Sequence, residues 1–186
     1  CLRHLREGDR FNIVAFDDSM EWFSSALVPF TQRTLSDADR WMQRVDARGG
    51  TELRDPLVQA VSQLTEGVVV LLTDGQVANE NEILEAVLAV QRKVRVLSFG
   101  IGTNVSDALL RELGRRTGGG VEFIHPGERI DEKVVAQFSR ATAARVTDVK
   151  VKFVGVDVAE IAPAELPSLV DGEAWTIFGT YEKPGV

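Results

Sequence analysis

Asp74 and Thr51 are the residues in this chain whose types and placement best suit ligand chemistry. Asp74 closes the run Val68-Val-Val-Leu-Leu-Thr-Asp-Gly-Gln76. Its first five residues are aliphatic and three of them β-branched, which reads as a strand buried on both faces, the habit of parallel sheets covered by helices. Gly75 then permits a sharp turn. In open α/β sheets, ligands bind in the crevice at the carboxyl ends of the strands, where this carboxylate falls. Thr51 lies in the loop before the helix that feeds the same strand. A hydroxyl and a carboxylate with no imidazole nearby suit a hard, oxygen-preferring cation such as Mg²⁺. The plainer alternative is that Thr51 caps its helix and Asp74 its turn, since both types are common at such ends.

Asp17-Asp18-Ser19-Met20-Glu21 also follows a strand and offers several oxygens, but it is read first as a β-turn. Gly100-Ile101-Gly102-Thr103-Asn104 follows a late strand and lacks the third glycine of a dinucleotide loop, position 105 being Val. It is read as a strand-to-helix turn. His4 and His125 have neither nucleophile nor carboxylate at telling spacing, and Ser98 lacks a Gly-x-Ser-x-Gly elbow. Arg115 and Arg116 make a solvated helix end. No hydrolase or transferase constellation emerges.

The elements that position these residues alternate. Residues 9–16 predict a strand and residues 21–27 a short edge strand. Leu35, Ala38, Trp41, Met42 and Val45 recur at helical spacing, with Ser36 as N-cap. A second helix has Pro56 in its first turn and Leu53, Leu57, Val58, Val61 and Leu64 as its buried stripe. After the Val68 strand, Asn79 and Glu82 suggest a capping box, and Ile83, Leu84, Val87, Leu88 and Val90 face inward. A strand over 94–99 follows, then a helix capped by Ser106, a strand over 121–124 and a last helix through Ile130, Val134, Val135, Phe138 and Ala141. This order predicts an α/β fold, a doubly wound, mainly parallel sheet flanked by helices. Beyond it, Val149, Val151 and Phe153 alternate with lysines, and residues 173–181 read as another strand. The expected division is 1–145 for the α/β domain and 146–186 for a β-rich extension.

The totals narrow the function. With 21 basic against 28 acidic residues the formal net charge is −7, and no basic stripe threads through aromatics, so nucleic acid is not an expected partner. No apolar run approaches the roughly 20 residues of a membrane span. Cys1 is the only cysteine, which excludes an internal disulfide and a thiolate cluster. The opening Cys-Leu-Arg-His-Leu-Arg-Glu-Gly reads as the last turn of a helix, so the chain is expected to be a fragment with its natural start upstream.

Several motifs in their order resemble a von Willebrand factor A domain. They are the strand over 9–16, Arg48-Gly-Gly-Thr-Glu-Leu53, the strand ending Thr73-Asp74-Gly75, and Ser98-Phe-Gly-Ile-Gly102. Past the boundary, Asp148-Val-Lys-Val-Lys-Phe153 and Leu166-Pro-Ser-Leu-Val-Asp-Gly-Glu173 resemble the region after the A domain in inter-alpha-trypsin inhibitor heavy chains and their bacterial relatives. The resemblance implies a metal-ion-dependent adhesion site for Mg²⁺ or another divalent cation, with Thr51 and Asp74 as ligands. The family's Asp-x-Ser-x-Ser motif and first strand have no counterpart here and would lie upstream of Cys1, so the site would be partial. It also implies that a central strand is missing between the strands at Phe11 and Val68, a gap filled by another segment or chain, self-association included. The expected function is then a non-enzymatic protein-binding or adhesion module, taking a carboxylate from its protein ligand, in an extracytoplasmic setting. A metal-independent scaffold is the alternative, and an Mg²⁺-dependent α/β enzyme a further one.

Overall fold

The computed structural model describes residues 1–46, 49–50, 52–143, 145–146, 149–164, 169–170 and 176–182. Its chain divides into two compact units, Cys1–Ala141 and Thr142–Val186.

The N-terminal strands β1 (Arg10–Phe11), β2 (Val14–Phe16), β3 (Met20–Trp22) and β4 (Val28–Pro29) come first, followed by helices α1 (Gln32–Met42) and α2 (Arg54–Ser62). Then strand and helix alternate: β5 (Glu66–Thr73), α3 (Glu80–Val90), β6 (Lys93–Ile101), α4 (Asp107–Thr117), β7 (Gly120–Ile124) and α5 (Ile130–Thr142). β5, β6 and β7 pair in that order, all parallel, with Val69 opposite Val96 and Ser98 opposite Val121. The aliphatic run of β5 and the buried Val94, Val96, Leu97 and Phe99 of β6 are what such a two-sided sheet requires.

Two apolar layers cover this sheet. On one face, Leu57 and Val61 of α2, Ile83 and Val87 of α3 and Leu110 and Leu113 of α4 pack with Leu71, Val94 and Val96. On the other, Val134, Phe138 and Ala141 of α5 pack with Leu97, Phe99 and Ile124, and Leu5, Val68 and Val70 join them. Helices on both faces make this the α/β doubly wound arrangement expected. Gly119 marks its tightest contact: a Cβ there would lie 2.0 Å from the Val96 carbonyl oxygen, so only glycine lets the α4–β7 turn reach β6.

Several local expectations are corrected. The strand over 9–16 is two strands in different sheets, β1 pairing with β4 and β2 with β3. Asn12 separates them, because its Oδ1 accepts from the N–H groups of Ile13 (2.9 Å) and Ser24 (3.1 Å) while its Nδ2 donates to the Ser24 carbonyl (2.8 Å). Helix α1 starts from Thr31, not Ser36: Thr31 Oγ1 accepts from the Thr34 N–H (3.1 Å) and Thr34 Oγ1 from the Thr31 N–H (2.9 Å). Leu35, Ala38 and Trp41 are buried as expected, whereas Met42 is exposed. Phe11 stacks on Phe23 at 5.9 Å, and Phe23 meets Trp41 edge-on at 6.0 Å, tying α1 to the N-terminal strands.

Asn79 and Ser106 occupy the N-cap positions of α3 and α4 but make no capping bond. The Glu82 carboxylate pairs with the Arg54 guanidinium (3.0 Å), and Ser106 Oγ accepts from the Val77 N–H (3.0 Å). Long-range partners have claimed the Glu82 and Ser106 side chains that local pattern assigned to caps.

In the second unit, β8 (Arg145–Val146) pairs antiparallel with β10 (Leu169–Val170), and β9 (Ala159–Ala162) with β11 (Phe178–Thr180). The predicted strand at 149–153 is not formed: 149–154 has no regular structure, and its apolar residues find no strand to pair with among the described residues. Of the strand expected over 173–181, 178–180 is strand, and 173–175 lies outside the described residues.

Candidate functional site

β5 ends on Thr73, which is buried, and the Thr73 Oγ1 accepts from the Gly75 N–H at 3.3 Å. That bond turns the chain sharply and leaves Asp74 exposed at the strand's carboxyl end. Among the described residues no group hydrogen-bonds or ion-pairs with the Asp74 carboxylate. It is therefore an open acceptor at the place where α/β sheets bind ligands.

The second element of the site is the glycine loop ahead of α2. Gly50 has φ of 89°, and a Cβ there would sit 1.9 Å from Asp18 Oδ1, so glycine is required on both grounds. The Glu52 N–H donates to the Asp17 carbonyl at 2.9 Å. This loop thus closes onto the Asp17–Ser19 turn, a contact between residues that sequence reasoning treated separately. The turn keeps its own carboxylate occupied: Asp17 Oδ1 accepts from the Ser19 N–H and from Ser19 Oγ, both at 2.8 Å. Thr51, the other predicted ligand, lies outside the described residues.

Gly50 and Asp74 line one cleft of about 590 Å³, together with the β2 and β5 strands. Among the described residues β2 and β5 are not paired with each other, and each has one strand neighbour, β3 and β6 respectively. The cleft lies between these two strands.

Oxygen donors at its mouth have the chemistry of a hard-cation site. Their number does not complete a shell, since among the described residues no three His, Cys, Asp or Glu side chains are placed to share an ion. Asp74 is one open donor where a near-octahedral ion takes several.

The remaining candidates settle into structural roles. The His125 N–H donates to Glu128 Oε2 at 2.7 Å, and His4 sits exposed in a short 3₁₀ turn at Leu2–His4. Arg115 grips Glu112 through two bonds of 2.9 and 2.6 Å, which holds the glutamate low and the arginine high in pKa. Ser98 is wholly buried in β6. One cluster that spacing did not announce is Lys133, which meets Glu122 at 3.0 Å, Glu128 at 2.9 Å and the Phe123 carbonyl at 3.2 Å. It fastens the start of α5 to β7.

Fold and site together define an α/β domain with a carboxylate at the crest of its sheet. The chain belongs to the von Willebrand factor type A domain family, whose profile matches residues 1–123. A von Willebrand factor A domain-containing protein of Dictyostelium discoideum is 28% identical over 98% of this chain and 20% of its own length. The von Willebrand factor A domain-containing protein 5A of Rattus norvegicus is 30% identical over 98% of this chain and 23% of its own. The chain therefore spans about a fifth of the length of these relatives. Among solved structures, a von Willebrand factor type A protein from Catenulispora acidiphila superposes with a TM-score of 0.65 at 18% identity, over 86% of this chain and 37% of that one. BatB from Bacteroides thetaiotaomicron superposes at 0.54 and 11% identity, over 75% and 82% respectively. Domains of this family generally serve as protein-interaction modules. Among the described residues no helix is long and apolar enough to cross a membrane.

Proposed function

We propose that this domain is a non-enzymatic protein-binding module that, in its full-length protein, holds Mg²⁺ or a similar divalent cation beside Asp74. The single observation that carries the reading is the open, exposed Asp74 carboxylate at the end of β5, in a domain of this family. Thr51 would supply a hydroxyl, and further oxygen donors would complete the shell. The cation would give a carboxylate-bearing protein ligand a charged anchor, and the loops around the cleft mouth would choose among ligands. An extracytoplasmic setting and kinship of the tail with inter-alpha-trypsin inhibitor heavy chains belong to the same proposal. Calorimetric titration of the full-length protein with Mg²⁺ tests it. Asp74→Ala should weaken binding at least tenfold while leaving urea stability within about 0.5 kcal/mol, because the side chain is exposed. Unchanged titrations would remove Asp74 from any metal site.

The shortage of donors among the described residues favours a second reading, a scaffold that binds protein without metal. Partner capture indifferent to chelator would select it over the first.

A further inference from the structure

The loop that carries Asp74 hangs on two hydroxyls. Between the end of β5 at Thr73 and the start of α3 at Glu80, no backbone group of residues 74–78 bonds to another backbone group among the described residues. The Gly75 N–H donates to Thr73 Oγ1 at 3.3 Å, and the Val77 N–H to Ser106 Oγ at 3.0 Å. Thr73 and Ser106 are both buried. The first tie is local, whereas the second spans 29 positions and joins this loop to the crossover that follows β6. The Val77 side chain also packs against the apolar layer of α2, α3 and α4, so Val77 is held from two sides.

Ser106 occupies the N-cap position of α4, where a serine hydroxyl ordinarily accepts from the N–H groups of the first turn. Here it makes no such bond. Helix α4 starts without it: the Asp107 carboxylate lies in the first turn, at the positive end of the helix dipole, and the Asp107 N–H donates to the Val105 carbonyl at 2.9 Å. The hydroxyl is therefore committed to the loop and not to its own helix. A part-buried N–H left without an acceptor must turn to water, so removing the hydroxyl shifts Val77 and its chain neighbours with it. An octahedral ion at about 2.1 Å from its oxygens tolerates little displacement of a ligand, and groups that orient metal ligands are worth roughly 10–100-fold in affinity.

We infer that Ser106 is a positioning residue for Asp74. By holding the Val77 N–H it fixes the loop between β5 and α3, and so the point at which the carboxylate is presented. Its effect on cation binding rests on the function proposed above, and its hold on the loop does not.

Amide exchange in the 186-residue chain reads the hold. Ser106→Ala should speed exchange at least tenfold at Val77 and also at Gly75, although the Gly75 bond goes to Thr73 and not to Ser106. Ser106→Thr, which keeps the hydroxyl, should leave both near the parent. Unchanged exchange along β6 shows that the fold is kept, and Ser106→Cys, a weak acceptor of similar shape, gives the same reading where alanine disturbs it. Acceleration at Val77 alone would mean a bond that positions nothing, and would overturn the inference. Equal acceleration with alanine and threonine would overturn it too, since packing and not the hydroxyl would then act. Titration of the full-length protein with Mg²⁺ reads the consequence. Ser106→Ala should weaken binding about tenfold, and Ser106→Thr less than about twofold. Loss with Asp74→Ala but none with Ser106→Ala would overturn the inference. No loss with Asp74→Ala would instead refute the metal reading, and exchange at Gly75 would then decide the role of Ser106 by itself.

Discussion

Glu128 shows how much one side chain contributes when its partners are fixed by the fold. The His125 N–H and the Lys133 ammonium both point at its carboxylate, in that order of influence, and hold it below the usual glutamate range. Lys133 is raised in turn by Glu128 and Glu122. A depressed carboxyl stabilises the folded chain fully above its ordinary range, and that contribution is lost as pH falls through the depressed value. Glu128→Gln should therefore unfold at lower urea than the parent at pH 7, and the difference should close on acidification through the carboxylate range. A gap that persists unchanged in acid would mean the residue acts through packing alone. Asp74, at the same scale, was legible because its setting is local: an aliphatic run, a turn residue, a carboxylate between them. The meeting of Asp18 with Gly50 was not, because it joins turns distant in the sequence.

Helices and strands obeyed their apolar periods more closely than their terminal signals. Leu57, Val61, Ile83 and Val87 are buried where periodicity placed them, since a stripe that faces a sheet has no alternative to burial. Caps are cheaper and more easily reassigned. Ser106 keeps its N-cap position yet serves Val77, a residue 29 positions earlier, and Glu82 serves Arg54. At α1 the working cap is Thr31, reciprocated by Thr34. Thr31→Ala should cost about 1 kcal/mol in chemical denaturation, whereas Ser36→Ala, inside the helix and exposed, should stay within about 0.5 kcal/mol. Equal losses at the two positions would restore Ser36 as the start signal. The break at Asn12 belongs here as well. Nothing in the alternation of residues 9–16 distinguishes a strand residue from one whose amide will bridge to Ser24.

The molecule as a whole has a core whose burial is uneven across one strand. Leu110, wholly buried under the sheet, should cost about 2–5 kcal/mol on replacement by alanine. Leu72, almost half exposed on the cleft, should cost less than about 1 kcal/mol in the same chain. Urea melts of the two variants read the difference directly, and comparable losses would mean the outer edge of β5 is covered in solution. From its residues alone, this chain was readable as an alternating α/β fold with helices on both faces and a carboxylate at a strand end, because apolar periodicity and turn chemistry act over a few residues. The resemblance to its family rested on short motifs of the same local kind. Tertiary structure decided what lies beyond that range: which side chains cap and which bridge, that Gly50 comes up against Asp18, and that β2 and β5 stand apart with an apolar cleft between them. Those are contacts between distant positions, fixed by packing and hydrogen-bond competition, for which a linear pattern carries no signal.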